Sequence, residues 1–152
     1  MRLFLLAFAA LALTASASAQ DTSETASYGE YTLESGFQPD PLSLEVVAGG
    51  SHAVDVGDGC DYGMVADAPD LEITYTGEIG LDLYVYAVSM EDTTLLVNLP
   101  DGSWVCDDDS YDDGDPLIQL GAAPGGVYDI WVGTYGTDMV DATLMVSEID
   151  PR

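Results

Sequence analysis

The chain has 152 residues, with 28 aspartates and glutamates against two arginines, no lysine, and a formal net charge of −26. So few cations cannot hold a polyanion by releasing its counterions, which excludes nucleic acid and anionic membrane surfaces and favours cations or cationic partners. With 47% hydrophobic residues and aromatics spread throughout, it is not an acidic disordered tail either.

Arg2 supplies a positive n-region, Leu3 to Leu13 an apolar h-region and Ala17-Ser18-Ala19 a small-residue cleavage site, so residues 1–19 read as a cleaved secretory signal peptide. The apolar run is too short for a spanning helix. No lipoprotein cysteine stands directly after the cleavage site, and no later stretch suits a membrane span. The mature protein is therefore expected to be periplasmic or secreted and soluble. Its remaining length suits one domain with one core.

Residues 20–27 are small and polar and read as a flexible leader, ahead of a single domain over 28–150. There the hydrophobic period is two. Leu42 to Val47 (LSLEVV), Leu71 to Thr76 (LEITYT), Leu81 to Val88 (LDLYVYAV), Thr93 to Asn98 (TTLLVN), Val127 to Tyr135 (VYDIWVGTY) and Ala142 to Glu148 (ATLMVSE) are predicted strands. In the third, Leu81, Leu83, Val85 and Ala87 point one way, with Asp82, Tyr84 and Tyr86 opposite. Glycine- and proline-rich turns separate these runs, as in QPDP (38–41), GDG (57–59), TGEIG (76–80) and PGG (124–126). Short strands between such turns, with no helical pattern, predict an all-β antiparallel sandwich.

Cys60 and Cys106 are the two cysteines. Outside the cytoplasm they are expected to pair, closing a long loop worth at most about 4 kcal/mol in the chain-entropy model. Directly after Cys106 come six aspartates between Asp107 and Asp115. Carboxylates ~6 Å apart repel by roughly 0.7 to 3 kcal/mol per pair, so such a run must splay, take up protons or share a cation. Calcium, with its adaptable shell of oxygens, fits better than magnesium, and zinc lacks its usual donors once the cysteines pair. The loop is no EF-hand, because counting from Asp109 puts Tyr111 at the third position and Leu120 at the twelfth. The expected ligands are Asp92, Asp107, Asp108, Asp109, Asp112 and Asp115, with Asn98 and backbone carbonyls completing the shell. A solvated acidic turn without an ion is the alternative.

Two stretches, DTTLLVNLPDGSWVCDDDS (92–110) and PGGVYDIWVGTYG (124–136), resemble the bacterial pre-peptidase C-terminal (PPC) domain. In that family a strand runs into a Pro-Asp-Gly turn, an acidic loop and then a Gly-x-Tyr strand. The matching positions are Asp92 to Val97, Pro100 to Gly102, Asp107 to Asp115 and Gly126 to Gly133. The resemblance implies a jelly-roll-like sandwich that accompanies secreted peptidases, has no catalytic residues of its own and sometimes binds calcium. Here the domain is expected to stand alone, without an attached peptidase.

Enzymatic readings fare poorly. His52 is the only histidine, so a serine-peptidase triad would have to use it, and no serine lies in a nucleophile-elbow context. A glycosidase needs a carboxyl with a raised pKa in a dry cleft, which a run of aspartates does not offer. The chain is therefore read as a non-catalytic module that binds a divalent cation, the ion ordering the loop as a rim for an extracellular protein or peptidase, with a polysaccharide as the alternative partner. The carbohydrate-binding alternative rests on Trp104, Tyr111, Trp131 and Tyr135, since aromatic rings on a sandwich rim stack on sugars; core packing is their commoner fate.

Overall fold

The computed structural model describes residues 20–57, 59–77 and 80–152. The expected signal peptide lies outside the described residues, as do Asp58 and part of the TGEIG turn. Among the described residues there are eleven strands and no helix. They run β1 (Glu30–Leu33), β2 (Leu42–Ala48), β3 (His52–Ala53), β4 (Met64–Val65), β5 (Leu71–Tyr75), β6 (Leu83–Ser89), β7 (Thr93–Asn98), β8 (Trp104–Asp107), β9 (Leu117–Leu120), β10 (Gly126–Thr134) and β11 (Val140–Ser147).

The strands form a β-sandwich of two sheets. The larger runs β8-β7-β10-β5-β1, and the short β4 and β3 continue it where β10 extends past β5. The smaller runs β2-β11-β6-β9. Every ladder is antiparallel except β1 with β5, which is parallel. From β5 onward the chain crosses repeatedly between sheets, so the strand ends and their loops gather at the two ends of the sandwich.

Alternation decides which side chains fill the middle. Leu71, Ile73 and Tyr75 of β5, Leu95 and Val97 of β7, and Tyr128, Ile130 and Val132 of β10 face Leu83, Val85 and Ala87 of β6 and Leu144 and Val146 of β11. The intervening residues therefore point outward, and on both sheets a second hydrophobic cluster covers them. On the larger sheet Trp131, Leu96 and Val65 pack with Val54 and Cys60, beneath Trp104 and Cys106. On the smaller sheet Tyr84, Tyr86 and Leu117 pack with Tyr111 and Met145. Burying those outer faces is what allows a chain of this length so many apolar residues. Leu81 departs from the expected pattern. It precedes β6 and is exposed, because Asp82 turns the chain by accepting hydrogen bonds from the Ala122 amide and the Gln119 side chain.

The polar leader is tied to the domain. The amides of Asp21 and Ser27 donate to the carbonyls of Asp67 and Pro69, Tyr28 donates to Asp70, and Ala26 is buried. Asp70 itself stands where β10's neighbour changes from β5 to β4. Its amide donates to Ile130 O at 2.8 Å and its Oδ2 accepts from the Val132 amide at 2.7 Å. A buried carboxylate thus supplies a ladder bond that no strand is present to make.

Candidate functional site

The aspartate loop is held by its own carboxylates. Asp107 ends β8 and turns back over the loop, where it accepts from the Ser110 amide and hydroxyl and from the Leu117 amide, the last at 2.8 Å. Asp115 is buried, and its Oδ1 accepts from the Ser89 amide at 3.0 Å. Tyr111 and Asp112 donate their amides to Asp115 O, while Asp115 donates to Asp112 O. The small bridge this makes is closed by Gly114 at φ 83°, in the left-handed region that suits glycine. Three of the six acids thus accept from backbone amides, Asp112 Oδ1 doing so from its neighbour Asp113. Asp109, Asp112 and Asp113 project into solvent, where water screens them.

Asp108 lies between these groups. Partial burial, then the charges of Asp109, Asp107 and Asp92, raise its pKa. Tyr62 sits beside the same run, and burial followed by four neighbouring aspartates, Asp108 first, pushes its hydroxyl up to about 12. Burial also raises Asp115, against the lowering effect of its Ser89 bond. The expected neighbour Asp92 is indeed at the loop. The Thr93 amide donates to Gly114 O at 3.0 Å, and Asp92 O accepts from the Tyr135 amide. All six expected ligands therefore share one end of the sandwich. Among the described residues, however, no three His, Cys, Asp or Glu side chains are gathered closely enough to hold a metal ion.

The same hydrogen bonds join three loops into one surface, those following β6, β8 and β10. Glu91, Asp92, Thr134, Gly136, Asp138 and Val140 line a shallow pocket within it. Around the pocket Met90 is 99% exposed, and Tyr135 and Met139 are 61% exposed. Alternation along strands could not reveal Met90 and Met139, because they lie in turns.

Cys60 and Cys106 form the expected disulfide, with 5.7 Å between their Cα atoms. It straps the 57–60 turn onto β8, above Trp131. Trp131 is fully buried there, and Trp104 tilts against it with ring centroids 5.5 Å apart. Tyr111 packs on Tyr86 at 5.3 Å. Of the four rings considered for sugar stacking, Tyr135 is the exposed one, and Trp131 is corrected to a core residue. His52 lies half-buried on β3 opposite Val65, and among the described residues no hydroxyl or carboxylate is hydrogen-bonded to it.

No family model and no curated protein matches the chain. Among solved structures the chain is similar to the periplasmic inhibitor of g-type lysozyme from Aeromonas hydrophila, PliG, at 16% identity and a TM-score of 0.46, over 78% of this chain and 96% of that one.

Proposed function

We propose that this chain is a non-catalytic, secreted or periplasmic binding module whose aspartate-loop end captures a cationic protein. The observation that carries the reading is the composition of that end. Met90, Tyr135 and Met139 stand clear of the surface among Glu91, Asp92, Asp108, Asp109 and Asp138. Exposed apolar side chains of this size, rimmed by charge, mark protein contact sites. The charge around them has one sign and steers a basic partner toward the apolar centre. The bonded cysteines suit an oxidising compartment, as does the expected signal peptide over residues 1–19. The rings that would serve a sugar platform are mostly engaged in packing, which favours a protein partner over a polysaccharide.

The test is titration calorimetry of the mature chain against a panel of basic secreted proteins. A g-type lysozyme, the class of enzyme named for the Aeromonas protein's target, is one of them. Replacing Met90 and Tyr135 together by serine leaves net charge unchanged and is expected to weaken a genuine complex at least tenfold, because central apolar contacts dominate interface energy. An affinity that ignores this pair and follows salt alone would reduce the surface to a solubility device.

A further inference from the structure

The outer face of the larger sheet carries a second polar feature, away from the aspartate loop. Strand register sets Glu30, Glu72, Asp129, Asn98 and Trp104 side by side across β1, β5, β10, β7 and β8. All five point outward, since their neighbours Tyr31, Leu71, Ile73, Tyr128, Ile130, Val97 and Val105 belong to or pack on the inner core. At the middle of the row Asp129 is only 5% exposed, and its Oδ1 is buried with no hydrogen-bond partner. Burial, with the Glu72 charge beside it, pushes this carboxyl up to about 6. The only arginine among the described residues, Arg152, is engaged by Asp150 and Gln119, so among the described residues no arginine answers Asp129.

Opposed residues on neighbouring strands hold their Cβ atoms roughly 5 Å apart, close enough for the side chains on either side of Asp129 to share a ligand with it. Glu72 is half-buried and gives an approach from solvent. The Asn98 amide nitrogen is turned to the carbonyls of Gly102 and Ser103, which leaves its oxygen as an acceptor. We propose that Glu72, Asp129 and Asn98 form a binding site for one hard divalent cation, with calcium as the probe. Two carboxylates and one amide oxygen make a partial shell that water completes, as suits a weak extracellular site. The orphaned oxygen favours an ion over a partner's side chain, because an ion takes Oδ1 as a ligand from within the row while its waters lie on the solvent side at half-buried Glu72. The site joins β5, β10 and β7, so its occupancy stiffens the sheet on the face that bears the disulfide.

The experiment is titration of the mature protein with calcium and with terbium just above neutral pH, where Asp129 is ionised. Trp104, next in the row to Asn98, and Trp131, two residues along β10 from Asp129 on the same face, are close enough to sensitise terbium emission. Asp129→Asn and Glu72→Gln should each weaken one saturable site at least tenfold, while Asp108→Asn with Asp109→Asn should leave it unchanged. Loss of the site only in the Asp108/Asp109 variant would move the ion to the aspartate loop and overturn the proposal. So would sodium effects equal to those of calcium, or a wild-type Asp129 that merely protonates, seen as no saturable binding. Glu72→Gln alters a half-exposed side chain and keeps the test open if Asp129→Asn does not fold.

Discussion

Asp70→Asn should change how stability responds to pH more than it changes stability at any single pH. Burial pushes the Asp70 carboxyl up to about 7 from an ordinary 3.8, and the hydrogen bond from the Val132 amide only partly opposes this. Between those values the native protein keeps a proton that the unfolded chain has lost, so unfolding releases it and stability falls as pH rises. Below about pH 4 both states are protonated and the group contributes nothing. Above about pH 7 both are ionised and the full cost is present, on the order of 4 kcal/mol for a shift of about three units. Asparagine carries no charge, and its amide oxygen can still accept from Val132. Its amide hydrogens require partners, which costs about 1–3 kcal/mol if none is found. The variant should therefore be less stable than wild type in acid and equal or more stable above neutrality. Denaturant unfolding of both proteins across this range measures the difference directly. Asp129, raised in the same sense, and Asp21, Asp82, Asp101 and Asp150, lowered, contribute to both proteins and cancel. Parallel stability curves for the two proteins would show that Asp70 ionises as if exposed, and would refute the account of the β5–β10 junction.

Replacing Cys60 and Cys106 by alanine should lower stability by up to about 4 kcal/mol, read from denaturant midpoints; in the wild type a thiol reagent should label neither cysteine before reduction. Asp107→Ala removes the acceptor of the Ser110 and Leu117 amides and should cost about 1–3 kcal/mol. Faster hydrogen exchange at Leu117 and proteolytic nicking within 108–114 should accompany it, whereas Asp113→Ala, at an exposed side chain, should do neither.

Much of the sandwich was legible because period-two alternation is a local property. Thr93–Asn98 is recovered to the residue, and the strands at Leu42, Leu71, Val127 and Ala142 within two residues or so. β3 and β4 span two residues each, and β8 and β9 four each, too short to display a period. β1 mixes charged and aromatic residues and is recruited by the exposed edge of β5. The alternation in VYDIWV also placed Asp129 beside Trp131 on one face. It could not say that Glu72 and Asn98 flank Asp129, since register between strands distant in sequence is set by packing of the whole core. The aspartate run read clearly as a self-repelling loop. The backbone amides that Asp107 and Asp115 take up were hidden, because they depend on where Ser89 and Leu117 arrive in space.

Crowded carboxylates can be tolerated in two ways that differ in what the fold must provide. At the loop, Asp107 and Asp115 meet backbone N–H groups, and their neighbours splay into water. That solution needs no ion, and it leaves a surface whose charge is available to a partner. On the outer sheet face Asp129 has neither an amide donor nor open solvent at Oδ1. Strand pairing already occupies the nearby backbone groups of β10, and Glu72 adds a like charge rather than a counter-charge. A small region with fewer acids is thus the more demanding place for negative charge. It follows that a specific cation should act at Glu72 and Asp129, and bulk salt at the loop. Stability measured against calcium at fixed ionic strength, and against sodium chloride at fixed calcium, separates the two: Asp129→Asn should abolish the first response and spare the second.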